Sequence, residues 1–168
     1  LARQIKENVT LSHELVCLTD NSSNFKNIDR VVKLKHDLPG WWSKIELFNP
    51  TLTNNKIFYI DLDSIILRNI DNILQINSDF CALLDFYNMY KLASGVMMWQ
   101  PSEITAKIYK DFLVKSTYIM NNYKQGDQEW IGEHIKTCDY FQTFTKNIVS
   151  YKKHCLKNNI INIPNYSD

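Results

Sequence analysis

Short apolar runs separated by turn-forming clusters recur along this chain, and their spacing predicts its elements. Leu1–Glu7 reads as the tail of a helix begun upstream. Glu14–Leu18 is apolar and ends at Thr19-Asp20-Asn21, the pattern of a buried strand running into a loop. Arg30–Leu34 predicts a second short strand, and Pro39-Gly40 then punctuates the chain. A helix is expected over Trp41–Phe48, stopped at Asn49-Pro50 because the residue before proline disfavours the helical region. Lys56–Ile60 is the clearest strand, β-branched and aromatic, and it runs directly into Asp61-Leu62-Asp63. Phe80–Leu84, ending at Asp85, and Gly95–Trp99 are two more. From Pro101 to Met120 the apolar residues Ile104, Ile108, Phe112 and Leu113 fall on one helical face, with Ser102-Glu103 placed to start it. Another helix opens near Asp127 and carries Trp130, Ile131 and Ile135. Strands alternating with helices predict an α/β fold with a mainly parallel sheet.

Composition narrows the classes of function. A chain of 168 residues is long enough for one domain with a sizeable core, and a 45% hydrophobic, 22% charged balance is that of a soluble globular protein. A net charge of +1 gives no reason to expect a nucleic-acid stripe or a strongly basic membrane face. No apolar run approaches the length of a membrane span. Cys17, Cys81, Cys138 and Cys155 form no CxxC pair, and Cys17 and Cys81 sit in apolar runs as small hydrophobes. That usage fits a reducing compartment, so a cytoplasmic location is expected.

The chemistry concentrates at strand ends. In an open α/β sheet, ligands bind beyond the carboxyl ends of the strands. Asp61 and Asp63, one residue apart at such an end, reach one divalent cation if the strand breaks there. Oxygen ligands suit Mg²⁺ and Mn²⁺. Such a metal bridges two phosphates and neutralises charge on a leaving diphosphate. Two acids at a strand end are also common solvated loop residues, so the motif alone decides little. Thr19-Asp20, Asp85 and the Ser94-Gly95 approach to a strand add polar groups at what a parallel sheet would make one edge. An acidic edge without partner cations is costly unless a metal sits there.

Six ordered segments carry a resemblance: Cys17–Asp20, Pro39–Phe48, Tyr59–Asp63, Gly95–Trp99, Gly126–Ile131 and Ser150–Cys155. In this order they resemble bacterial and viral glycosyltransferases of the GT-A fold, distantly similar to glycosyltransferase family 8. The resemblance implies one Rossmann-like domain over residues 1–168, which takes a sugar from a nucleotide-diphosphate donor and passes it to a glycan, lipid or protein acceptor. It implies that Thr19 and Asp20 lie against base or ribose and that Lys44 reaches the donor's phosphates or sugar. Asp61, Leu62 and Asp63 would form the DxD segment, with Asp61 and Asp63 on Mn²⁺ or Mg²⁺ and Asp63 the firmer ligand. Asp127 and Gln128 would be the catalytic pair near the anomeric carbon, with retention of configuration. Relatives often carry Asn-Ser where this chain has Ala93-Ser94, so one sugar-binding amide is absent. The resemblance also implies a base-binding strand before Leu1 and a metal-binding His-Gly-Lys-Pro segment after Asp168. This chain is therefore expected to be less active than a longer one.

Other readings stand beside this one. A haloacid dehalogenase-type phosphatase also places DxD after an apolar strand, the first Asp as nucleophile. There the motif belongs to the first strand, whereas here two strands and a helix precede it, and Ser64 replaces the usual Gly. An inactive nucleotide-sugar-binding domain is the non-enzymatic alternative. His154 is expected to be structural, and His13, His36 and His134 to be surface residues. One of Trp41 and Trp42 should enter the core and the other line the cleft. The Tyr87, Met89 and Tyr90 loop covers an acceptor or is a plain hydrophobic plug. Gly126 permits a tight turn, after which Asp127 is placed as a helix N-cap in the bland reading.

Overall fold

The computed structural model describes residues 1–21 and 25–156, with side chains given through residue 154. Helix α1 (Ala2–Asn8) is followed by strands β1 (Val16–Thr19) and β2 (Arg30–Lys33), which pair in parallel as a sheet of their own. A 3-10 helix (Gly40–Phe48), strand β3 (Ile57–Ile60), helix α2 (Asp71–Leu74) and strands β4 (Phe80–Leu84) and β5 (Leu92–Trp99) follow. Then come α3 (Glu103–Val114), α4 (Ser116–Asn122), α5 (Asp127–His134), β6 (Asp139–Tyr140) and α6 (Phe141–Phe144). A π-helical turn spans Tyr151–Leu156. The class is α/β, as the alternation predicts.

The mainly parallel sheet is not what forms. The larger sheet has the order β3-β5-β4-β6, and two of its three pairings, β3 with β5 and β4 with β5, are antiparallel. Only β4 with β6, and β1 with β2 in the smaller sheet, run parallel. The cause is local. The short Phe86–Tyr90 connection turns β4 directly back into β5, and a parallel crossover needs a dozen or more residues. The antiparallel sense has a consequence for the site. The start of β5, not its end, lies opposite the end of β3, and Asp61 N–H donates to Gly95 C=O at 2.8 Å.

Period-2 alternation sorts the sheet's side chains onto two faces. Phe80, Ala82, Met97 and Trp99 face a core built with the 3-10 helix, α3 and α5, where Trp42, Ile45, Phe48, Ile108, Phe112, Trp130 and Ile131 are buried. Cys81, Leu83 and Met98 face a smaller core with Ile73, Ile76 and Phe141. Each Leu, Ile, Phe or Met side chain fully buried there contributes about 1.5–3 kcal/mol. Buried Glu46 accepts the backbone N–H groups of Lys35 and His36 at 2.7 and 2.8 Å, which ties the exit of β2 to the 3-10 helix.

Several boundaries differ from expectation for identifiable reasons. Trp41–Phe48 is helical but in the tighter 3-10 form, starting at Gly40 with φ +55°. The helix expected over Pro101–Met120 is two helices, broken at Lys115, whose φ and ψ of −137° and 31° leave the helical region. Its start is as expected. Ser102 Oγ accepts Thr105 N–H, and Thr105 Oγ1 accepts Ser102 N–H, a reciprocal capping box. Strand β5 begins at Leu92 rather than Gly95. His36 and His134 are half-buried rather than surface residues. The first meets Tyr109 Oη at 2.8 Å, and the second packs on Trp130 with ring centroids 4.2 Å apart.

Candidate active site

The site begins with the break after β3. Ser64 N–H donates to Asp61 C=O at 3.1 Å, so Asp61-Leu62-Asp63-Ser64 is a turn rather than more strand. Leu62 is thrown out to solvent, and Asp63 is exposed beside it. Asp61 turns inward and is 32% exposed. Tyr59, two residues earlier on the same face of β3, donates its hydroxyl to Asp61 Oδ1. Burial and that donation hold the phenol well above its ordinary pKa, so the hydroxyl stays protonated.

Opposite Asp61, the β4–β5 ladder slips. Ala82 pairs with Met97 but Leu83 pairs with Ala93, which leaves Ser94, Gly95 and Val96 without partners on β4. The irregularity brings Ser94 and Gly95 against the end of β3. A Cβ on Gly95 would lie 3.3 Å from Asp61 Oδ2, so glycine keeps that approach open. Ser94 Oγ donates to Asp127 Oδ2 at 2.6 Å. Asp127 opens α5 after Gly126 and caps nothing; the N-cap position belongs to Gly126.

Lys44, from the 3-10 helix, joins these groups. Its Nζ lies 3.1 Å from Asp61 Oδ1, 3.4 Å from Asp127 Oδ2 and 3.2 Å from Ser94 Oγ. Its side chain is 10% exposed and that of Asp127 6%. Burial pushes the Asp127 carboxyl above the ordinary carboxylate range, against the opposing pull of Lys44 and Ser94. The acidic edge thus has an internal cation. Asp85 does not join it, because its Oδ1 accepts the backbone N–H groups of Tyr87 and Asn88.

Lys44, Asp61, Ser94, Gly95 and Asp127 line an open cleft of about 340 Å³ together with Trp41, Lys124, Gln125 and half-buried Gln128. Sequence reasoning brought Lys44, Asp61, Asp127 and Gln128 here. It missed the roles of Tyr59 and Ser94, although the same-face spacing of Tyr59 and Asp61 was readable. Thr19 and Asp20 belong to the smaller sheet, where Thr19 Oγ1 accepts Asn21 N–H at 3.1 Å and Asp20 is exposed. No hydrogen bond in which they are described reaches the cluster.

The chain is similar to a known glycosyltransferase. Over 95 residues, 56% of its length, it is 32% identical to inositol phosphorylceramide glucuronosyltransferase 1 of Arabidopsis thaliana. The chain spans 16% of that protein's length. No known family's sequence profile matches it.

A divalent cation has a plausible donor set here only in part. Among the described residues no three His, Cys, Asp or Glu side chains gather around one point. Two carboxylates on a broken strand end nevertheless suit Mg²⁺ or Mn²⁺, which take one or two protein carboxylates and complete their shell with substrate phosphates and water. His154 stands outside this set. Its ring packs edge-on against Phe86, and its Nδ1 lies 3.0 Å from both Ser150 N and Ser150 O. No helix among the described residues is long and apolar enough to cross a membrane.

Proposed function

We propose that this protein is a glycosyltransferase that moves a sugar from a nucleotide-diphosphate donor to an acceptor, in a GT-A-type domain. The observation that carries the reading is the convergence of Lys44, Asp61, Ser94 and Asp127, from four separate segments, on one sheet edge beside a cleft. The similarity to a glucuronosyltransferase supports it. Asp61 and Asp63 would hold Mn²⁺ or Mg²⁺, which supplies charge neutralisation at the departing diphosphate. Lys44 would face the same phosphates while still holding Asp127. Asp127 is fixed at its outer oxygen by Ser94 and Lys44, so it is preorganised where positive charge develops at the anomeric carbon. Gln128, on the next position of α5, orients donor sugar or acceptor. Thr19 and Asp20 take the base or ribose, and configuration is retained. Unpaired thiols at Cys17, Cys81 and Cys138 fit the proposed cytoplasmic location.

The test is a panel of nucleotide-diphosphate sugars with Mn²⁺, read by nucleotide release with and without acceptors. Release from at least one donor, with a simple aryl phosphate left intact, is the expected result. Phosphate release from the aryl ester without nucleotide release from any donor would replace this reading with a phosphatase.

A further inference from the structure

The proposed chemistry leaves the large aromatic residue of the cleft, Trp41, unused. Trp41 is 61% exposed and lies on the cleft wall, whereas its neighbour Trp42 is buried and stacked on Phe112 with ring centroids 5.2 Å apart. Leaving so large an apolar ring in water is costly, and it stands at the mouth of a polar cleft rather than in a scattered surface position. Its placement is also fixed. Gly126 has φ +70°, and a Cβ there would lie 2.2 Å from Trp41 Nε1 and 2.6 Å from Cδ1. The pyrrole edge of the indole therefore rests on bare backbone just before Asp127. A rigid aromatic plate costs little conformational entropy when it binds.

Depth within the cleft separates the ligands. Lys44 and Asp127 lie at the bottom, nearly buried, where a donor's phosphates and reacting carbon would go. Trp41 stands at the rim with the polar side chains of Lys124, Gln125 and Gln128 beside it. An apolar plate flanked by hydrogen-bonding groups matches a pyranose, whose ring carries an apolar C–H face and a polar hydroxyl edge. We propose that Trp41 is a stacking platform for a pyranose ring of the acceptor, so that the acceptor is a glycan or glycoside. This rests on the transferase reading above.

The fold supplies its own probe. The other three tryptophans, Trp42, Trp99 and Trp130, are 5%, 1% and 8% exposed, so iodide quenching of fluorescence reports on Trp41. The wild-type chain is titrated with the methyl pyranosides of glucose, galactose and N-acetylglucosamine, and separately with uridine and guanosine monophosphates. Saturable protection by at least one pyranoside, and none by the nucleotides, is the expected result. Saturation-transfer NMR then compares that pyranoside on Trp41→Ala and Trp41→Tyr. The first should bind about tenfold more weakly, and the second should retain most of the affinity. Protection by nucleotides alone would make Trp41 a base platform and overturn the proposal. So would absence of protection by any pyranoside in a protein that releases nucleotide from a sugar donor, an outcome that leaves the transferase reading standing. Pyranoside protection in a chain that turns over no donor would uphold Trp41 as a sugar platform and count against the transferase reading instead.

Discussion

Lys44→Met removes the ammonium that links Asp61 and Asp127 while keeping a flexible stem of similar volume. At the 3.4 Å separation from Asp127, an effective dielectric constant of about 20 gives an attraction of about 5 kcal/mol. Desolvation of both groups cancels part of it. Asp61, a third exposed, is screened by water and adds less. Breaking a buried pair from one side generally costs about 3–5 kcal/mol, and the open cleft argues for the low end, about 3 kcal/mol. Urea denaturation at neutral pH measures this directly. The pH dependence gives a second reading. Asp127 already has a folded pKa above its ordinary 3.8. Within the window between those two values the native state binds more protons than the unfolded state, so stability falls as pH rises through it. Without Lys44 the carboxyl loses its largest downward influence and the window extends upward. The deficit of Lys44→Met should therefore shrink as pH is lowered toward the acid end of that window. Lys44→Met/Asp127→Asn, which leaves no buried charge unpaired, should recover at least about 1.5 kcal/mol of the loss. A Lys44→Met protein within 1 kcal/mol or so of wild type, or a double variant no more stable than the single one, would refute the buried ion cluster.

Three further substitutions separate structural from functional roles. Ser94→Ala removes the 2.6 Å hydrogen bond to a buried carboxylate and should cost about 1.5–3 kcal/mol in urea denaturation. Gly126→Ala forces a side chain into φ +70° and against Trp41, so about 1–3 kcal/mol of strain should appear together with altered iodide quenching. Gln128→Ala, half-buried on the first turn of α5, should keep Tm within a few degrees. It should also lower sugar transfer at least tenfold, or about 1.4 kcal/mol of barrier, and normal transfer would reduce Gln128 to a bystander.

The α/β class and the strands at Lys56–Ile60 and Phe80–Leu84 were legible because short β-branched runs bounded by turn residues have few other readings. The sense of the sheet was not. Residues 86–91 look like a loop from sequence, but whether a loop reverses the chain or begins a crossover depends on packing beyond it. The register slip that leaves Ser94–Val96 unpaired on β4 had one local sign, Gly95 inside a strand-forming run, which suggests a bulge but does not fix its register. The ordered motifs singled out Asp61, Asp63, Asp127 and Lys44, but Lys44 as a group facing the donor, not as the internal partner of Asp61 and Asp127. An acidic edge in sequence is silent about a lysine folded in from a segment 17 residues away. Asp127 as an N-cap failed for a related reason. Its side chain has stronger partners in Ser94 and Lys44 than the free N–H groups of its own helix.

In the proposed reading this sheet edge binds a nucleotide diphosphate through a divalent cation that Asp61 and Asp63 would hold. Titration calorimetry with uridine or guanosine diphosphate, in Mn²⁺ and then in chelator, tests it most directly. The account predicts saturable binding that needs Mn²⁺, is weakened at least tenfold by Asp63→Ala, and is unchanged by Ser102→Ala in the helix cap away from the cleft. Affinity that is the same in Asp63→Ala, or that survives chelation undiminished, would contradict it.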